Sequence, residues 1–424
     1  MKVAVAGGGS TYTPELVDGV ARLAGEVGVS ELVLIDPDSA RLDVVGPFSA
    51  RIMRAAGHPA RVRWTTGLDE GLEGAGAVLL QLRVGGQAAR HRDETWPLEY
   101  GCIGQETTGA GGLAKALRTV PVVLDIAERA RRRAAAGAWI IDFTNPVGIV
   151  TRALLDSGHR AVGLCNVAIG FQRSFAALLG VDPGQVLLDH VGLNHLSWER
   201  AVLVNGTDRL PELLATHGAQ ITERTGQPPG VLAELGVVPS YYLRYFYCHD
   251  AVVAEQRQHA TRAEEVARLE RELLAMYADP ALDRKPRLLE RRGGAYYSEA
   301  AVALLASLVT DRGDTQVVNV RNAGTLPFLP DEAVIEVPST IGADGARPVR
   351  VAPLDPQLSG LVAHVAAYEE LAVEAALRGG HDRVLAALLA HPLVGQYDLA
   401  GKLADRLIAE NQAYLPWADP AGVR

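Results

Sequence analysis

The stretch MKVAVAGGGSTYTPEL, residues 1–16, decides how the chain is to be read. Residues 2–6, which alternate and branch like a buried strand, meet Gly7, Gly8 and Gly9, and Pro14 then stands where the first turn of a helix accepts it, ahead of ELVDGVARL. Strand, glycine loop and helix open a dinucleotide-binding unit. In such a unit one glycine makes the tight turn and another lets backbone N–H groups approach a pyrophosphate at the helix N-terminus. Gly7 and Gly9 fit those two positions. Tyr12 occupies the third, where a glycine would allow close strand–helix packing, so the loop by itself reads as a cofactor cradle or as a plain turn.

Outward from this loop the alternation continues. ELVLID ends at Asp36, and RVRWTT, AVLLQLRV, a long helix from about Leu113 to Ala136 and AWIIDF follow. Strands alternating with helices predict an α/β fold, a Rossmann-type doubly wound parallel sheet, with ligands at the carboxyl ends of its strands. Asp36 closes the second strand, where a carboxylate accepts hydrogen bonds from a ribose 2′-OH and repels a 2′-phosphate, favouring NAD over NADP. The alternative for Asp36 is a helix N-cap before PDSARL. After VGLC the rhythm changes to mixed segments: HLSWERAVLVNG with an Asn205-Gly206 turn, a helix around ARLERELLAMYAD, short strands near 316 and 335, and closing helices from about 356. This predicts a nucleotide-binding domain over 1–165 and an α+β domain over 166–424 that carries substrate, metal and subunit contacts.

Composition narrows the function classes. The 424 residues are 48% hydrophobic and 21% charged, enough for ordinary cores and too apolar for disorder. A net charge of −9, with no basic run longer than RARRR at 129–133, argues against nucleic acid as partner. The chain opens on a strand and has no apolar run of membrane-spanning length, so a cytoplasmic protein without a membrane partner is expected. Three cysteines, Cys102, Cys165 and Cys248, are too few for a disulfide framework and fit a reducing compartment.

Cys165 in VGLCNVAIG and His195 in DHVGLNHLSW stand thirty residues apart, without ligand spacing in sequence. Read alone they are a buried thiol and a satisfied histidine. Read together they could meet in space and leave metal positions open for substrate oxygens. His190 competes with His195, and in an extended segment the two point to opposite faces, so at most one faces a site.

GGGSTYTPEL, GQETTGAGGLAKALRTVPVV, DFTNPVGIVT, GLCNVAIG, GLNHLSW and ERRGGAYYS together resemble glycoside hydrolase family 4, specifically its 6-phospho-β-glucosidases. The likeness is spread through most of the chain. It implies that Cys165 and His195 hold a divalent metal, usually Mn2+, and that Gly7, Gly9, Ser10, Thr11 and Asp36 hold NAD. In VVPSYYLRYFY the family base aligns with Tyr242 rather than Tyr241, Tyr245 or Tyr247, which would otherwise form an aromatic patch. The same likeness makes Arg90, Asn145, Asn166 and Arg262 contacts of a phosphorylated β-glucoside substrate. Alone, Arg90 and Arg262 would be solvated helix charges, and Asn145 an extended residue before Pro146. Glu106 and Thr107 are assigned to the pocket lining, or else to a helix cap. Ala168 departs from the proline common in this motif, which loosens a turn without removing a ligand.

The mechanism the resemblance implies is hydride removal from C3 to NAD+, C2 deprotonation by the tyrosine, elimination of the aglycone, water addition at C1 and return of the hydride. NAD is recycled. The resemblance also implies asparagine at 166 in β-acting enzymes and aspartate in α-acting ones. A homodimer or homotetramer is expected. Two other functions fit the glycine loop: an NAD-dependent dehydrogenase of a hydroxy acid or sugar, and a non-catalytic NAD-binding regulator, which would leave Cys165, His195 and the tyrosines without purpose.

Overall fold

A computed structural model describes residues 1–22, 25, 27–294 and 296–418. Leu23 and Ala295, within two of the stretches quoted above, lie outside the described residues. In the first half the strands are β1 (Lys2–Ala6), β2 (Glu31–Ile35), β3 (Arg61–Thr65), β4 (Ala77–Leu80), β5 (Trp139–Asp142) and β6 (Ala161–Gly163). They lie side by side in the order β3-β2-β1-β4-β5-β6 and every pairing is parallel. This is the expected doubly wound sheet, with the strand order reversing at β1 and β4 and the crevice for a ligand outside that point. Val3, Ala4, Val5 and Val78 to Leu80 are essentially inaccessible, as strands covered by helices on both faces must be.

The second half continues the same sheet in antiparallel sense. Its strands are β7 (Val186–Leu193), β8 (Leu196–Val204), β9 (Thr207–Asp208), β10 (Val238–Pro239), β11 (Asp314–Arg321), β12 (Val334–Gly342) and β13 (Gly345–Pro348). β11 joins β6 through Asn319 opposite Gly163, and β12, β7, β8 and β10 extend the sheet beyond it. The expected boundary at 165/166 therefore falls between β6 and the helix Val167–Leu179, inside one hydrogen-bonded sheet. Asn205 and Gly206 have φ of 51° and 78°, the left-handed pair that a two-residue hairpin turn requires, and they join β8 to β9 as expected.

Two elements differ from expectation, each for a local reason. The strand read in AVLLQLRV ends at Leu80: the Gln81 amide makes a last bond to Ala6 O of β1 while its side chain donates to Gly7 O, and the Leu82 amide turns to Thr144 Oγ1. The long helix begins at Gly109, four residues earlier than its apolar pattern starts, and runs to Arg133. Gly111 sits where a Cβ would lie 2.4 Å from the carbonyl oxygens of Asp93 and Gln105. Glycine there serves close packing, which overrides its poor helix propensity. Among the described residues no helix is long and apolar enough to cross a membrane.

Candidate active site

At the carboxyl ends of β1, β2, β4 and β5 lies a cleft of about 520 Å3. Its floor is the glycine loop. The amides of Gly7 and Gly8 both donate to Ile35 O at 2.9 Å, and Gly7 has φ 84° with its would-be Cβ 2.7 Å from Gln81 O. A would-be Cβ on Gly8 lies 2.7 Å from Leu34 Cβ, so no side chain fits at either position. Asp36 Oδ2 accepts from Gly9 N and its Oδ1 from Asp38 N, both at 3.0 Å, and the carboxylate lines the cleft. Burial pushes its pKa up. The N-cap of the following helix is Asp38, which accepts from Arg41 N, and not Asp36. Ser10 borders the cleft, whereas Thr11 is fully buried and bonds Glu270 and Arg292 instead.

Tyr12, at the third glycine position, replaces close packing with a tether. Its hydroxyl donates to Gly294 O at 2.8 Å and accepts from Ser298 N at 3.2 Å. The helix from Tyr297 to Thr310 is thereby held to the glycine loop.

Behind the cleft-lining Tyr242 and Tyr297 stand the imidazole and the thiol. Cys165 follows β6, and His195 occupies the turn between β7 and β8 with φ 62°. His190 and His195 are thus not two positions of one extended strand, as assumed for their opposite faces. His190 is within β7, whereas His195 sits in the turn at 194–195 that follows the strand's end at Leu193. His190 is enclosed by two carboxylates, Nδ1 2.7 Å from Glu199 and Nε2 3.0 Å from Glu336, and those charges raise its pKa to about 10 against the cost of burial. Glu336 also accepts from Asn194 Nδ2 at 3.1 Å and Asn319 Nδ2 at 2.8 Å, fixing the turn that presents His195.

His195 Nδ1 is buried with no hydrogen-bond partner among the described residues, and burial lowers the imidazole pKa to about 4, keeping it neutral. Burial and Glu336 push the Cys165 thiol up, so it needs a cation to ionise. Tyr297 Oη reaches Cys165 Sγ at 4.0 Å and Tyr242 stacks on His195, so both donors lie directly behind these two cleft-lining rings, and neither is itself in the lining. An orphaned neutral imidazole and a buried thiol fit a divalent metal. Among the described residues no third His, Cys, Asp or Glu completes a cluster, leaving the other positions to substrate oxygens.

Of the four tyrosines in 241–247, Tyr242 lines the cleft. Tyr241 is 42% exposed and bonds Arg244, Tyr245 accepts from Gln105, and Tyr247 accepts from Trp198. Burial and the neighbouring Cys165, Tyr245 and Glu106 hold the Tyr242 phenol well above its ordinary range, with Arg90 opposing them.

Arg90, Asn145, Asn166 and Arg262 all border the same cleft. Arg90 is not a solvated charge: its Nε lies 2.6 Å from Glu94 and 3.2 Å from Glu106. Asn145 Oδ1 is buried without a hydrogen-bond partner among the described residues, an acceptor available to a hydroxyl. Its turn is fixed by Thr144, whose amide donates to Asp142 Oδ1 and whose Oγ1 accepts from Leu82 N. Asn166 is the N-cap residue of Val167–Leu179, and Ala168 is buried in that first turn. Arg262 donates to the carbonyls of Arg291 and Arg292 at 2.8 and 3.0 Å.

Glu106 and Thr107 do not border the cleft, contrary to expectation. Glu106 lies beneath it and collects Arg83, Arg90 and Lys115, and these cations hold its carboxyl well below the usual range. Nor do they cap the helix, whose N-cap is Thr108. Sequence reading missed Arg83, Lys115, Glu270, Arg292 and Tyr297, all in the lining. Lys115 carried a signal, a lone cation in the apolar face of a helix. Six cations, Arg41, Arg83, Arg90, Lys115, Arg262 and Arg292, border the cleft against Asp36, Asp38 and Glu270, which suits a polyanionic ligand.

Comparison with known proteins adds the family. The family model described as family 4 glycosyl hydrolase matches residues 2–181, and that of the family's C-terminal domain matches 190–394. The "Probable 6-phospho-beta-glucosidase" of Bacillus subtilis is 38% identical over 98% of this chain and 97% of its own. The 6-phospho-beta-glucosidase of Escherichia coli is 36% identical over 98% and 96%. The structure of the 6-phospho-beta glucosidase from Thermotoga maritima with NAD and glucose-6-phosphate superposes with TM-score 0.92 at 33% identity, covering 98% of this chain and 99% of that one. Another structure of that protein holds manganese as well, with TM-score 0.90 at 32% identity over the same shares of both chains.

Proposed function

The chain belongs to family 4 of the glycosyl hydrolases, and from that premise we propose that it hydrolyses 6-phospho-β-glucosides, using NAD and a divalent metal. The observation that carries this reading is the Tyr242 ring lying on His195, beside Cys165, in a cleft that ends on the glycine loop. Family membership does not favour a simple dehydrogenase or a non-catalytic regulator. When bound, NAD supplies a reversible hydride acceptor and Mn2+ a Lewis acid for sugar oxygens.

Gly7, Gly9, Ser10 and Asp36 are the residues that would hold the dinucleotide, and Cys165 Sγ with His195 the metal. Thr11 would act from behind the loop. Tyr242 Oη, ionised to the phenolate, would be the base that takes the proton from the sugar carbon; Arg90, and the metal when bound, would favour that ionisation against the burial that holds the phenol protonated. Arg90 and Arg262 meet the phosphate, where guanidinium geometry allows paired hydrogen bonds, and Asn145 Oδ1 accepts a sugar hydroxyl. Glu106 and Glu94 hold Arg90 in place between substrate visits.

The division at 165/166 separates the cofactor loop from the half that contributes His195, Tyr242 and Arg262. Free Cys102, Cys165 and Cys248 support a cytoplasmic setting. Leu187, Leu377 and Tyr397, 56%, 48% and 68% exposed, support burial between copies in a homodimer or homotetramer.

The test is a rate comparison on a chromogenic 6-phospho-β-glucoside and its unphosphorylated counterpart, with NAD and Mn2+ each present or omitted under reducing conditions. Turnover of the phosphorylated substrate alone, dependent on both additions, is expected. Full activity in protein shown to be free of NAD would overturn the mechanism.

A further inference from the structure

Arg292 stands apart from the residues so far given a task. It lies at the end of the short helix Leu288–Arg292, far along the chain from the glycine loop, yet its side chain reaches over that loop. Its Nε donates to Thr11 Oγ1 at 2.7 Å, and its Nη2 lies 3.4 Å from Ser10 Oγ and 3.3 Å from Glu270 Oε1. The guanidinium carbon sits 5.7 Å from the centroid of the Tyr12 ring. Among the described residues no hydrogen bond is formed by its Nη1, and the side chain borders the cleft while only 15% exposed.

The neighbourhood has more positive charge than it consumes. Glu270 is the one carboxylate paired with Arg292, and it also faces Arg41 Nη1 at 3.5 Å. Two guanidinium groups thus share one carboxylate beside the first turn of the helix Thr13–Arg22, where the backbone already favours an anion. The third fingerprint glycine is absent, and the tyrosine in its place carries this cation on its ring face.

We propose that Arg292 contacts the pyrophosphate of the dinucleotide, with the Tyr12 ring as its platform and Thr11 and Glu270 setting its direction. This rests on the reading that NAD binds the glycine loop. The second half of the chain would then hold the cofactor as well as the substrate, supplying by a guanidinium what the incomplete glycine fingerprint does not.

The experiment measures affinity for NAD+, ADP-ribose and adenosine by calorimetry on the metal-free full chain, for wild type and for Arg292→Gln, Arg292→Lys and Glu270→Gln. Expected are NAD+ and ADP-ribose binding weaker by on the order of 10- to 100-fold in Arg292→Gln, the scale of a charge-assisted contact. Adenosine binding should stay within about twofold, with Arg292→Lys intermediate. Unchanged NAD+ affinity, or an equal loss for adenosine, would overturn the proposal by reducing Arg292 to a support of the loop. Glu270→Gln keeps the hydrogen-bond acceptor but frees the charge, so NAD+ affinity should rise relative to adenosine. If Arg292→Gln does not fold, that variant decides, and no rise overturns the proposal. Wild type without NAD+ affinity would overturn the cofactor reading and this inference with it.

Discussion

The Tyr242 ring lies flat on the His195 imidazole, with centroids 3.6 Å apart and planes 11° from parallel. A histidine in a left-handed turn, φ 62°, is thereby clamped between its own backbone and an aromatic face. Tyr242→Phe keeps the stack and removes only the oxygen. It should lower kcat about 100-fold or more, the loss typical of a positioned general base, while Mn2+ affinity stays close to wild type. Tyr241→Phe, altering an exposed ring on Arg244, should be near neutral. Steady-state rates with a metal titration check both, and a crippled Tyr241→Phe would shift the assignment by one residue.

Cys165→Ser and His195→Ala should each weaken Mn2+ binding and abolish turnover with NAD+ affinity nearly intact. The reason is their place in the fold: Cys165 follows β6 and His195 lies between β7 and β8, whereas the nucleotide loop follows β1. Mn2+ titration followed by electron paramagnetic resonance, beside NAD+ calorimetry, separates the two losses. Unchanged metal affinity in either variant returns that residue to a packing role.

Much of this cleft was legible in residues 1–165, where a parallel sheet writes itself as buried apolar runs and puts its ligands after strands by rule. Asp36, Asn145 and Cys165 all sit at such ends. The contacts between elements were not legible, because strand and helix periods do not say which side chains meet: Tyr297 reaches Cys165 from 132 residues along the chain, and Arg83 reaches Glu106 from a separate loop. Nothing local to Arg292 shows that Thr11 Oγ1 lies 2.7 Å from it, and nothing near Glu106 shows three cations converging on it. His195 illustrates the same limit: its placement depends on a left-handed turn and on Glu336 holding Asn194, neither of which has a sequence period.

His190 offers a pH test of the scaffold behind that turn. Its folded pKa of about 10 exceeds the ordinary 6.5, so its charge contributes stability that is complete below about pH 6.5 and lost as pH rises towards 10. Thermal midpoints should therefore fall over that window. His190→Leu strands Glu199 and Glu336 in the core and should cost ~3–5 kcal/mol, as breaking a buried pair does. The variant should also lose the His190 share of the alkaline decline, and an unaltered pH profile would contradict the assignment.

Arg262→Ala should chiefly raise KM for the phosphorylated substrate, by about tenfold or more for a charge-assisted contact of roughly 1.5–3 kcal/mol. Because Arg262 also donates to the Arg291 and Arg292 carbonyls, part of the loss should appear as weaker NAD+ binding, through the loop that carries Arg292. Arg90→Ala has no such tie to that loop and should leave NAD+ affinity unchanged. An equal KM increase on the unphosphorylated glucoside would argue against a phosphate role for either arginine.

Asn166 sets the expected anomeric preference. It borders the cleft as the N-cap residue of Val167–Leu179, one position after the Cys165 thiol, and on the proposed reading its amide would stand beside the glycosidic bond. An amide has no acidic proton, and a leaving oxygen on its side of the ring would depart as an unassisted alkoxide. A β-linked oxygen is equatorial, so on the same reading it would be directed away from this position and would not need it. Paired 6-phosphoglucosides with one aglycone should accordingly show the β anomer turned over faster. Asn166→Asp supplies an acid and should raise the α rate more than the β rate, with the gain largest for poorly departing aglycones. If the α-linked substrate is the faster one in wild type, the protonating group lies elsewhere in the cleft and Asn166 only orients the sugar.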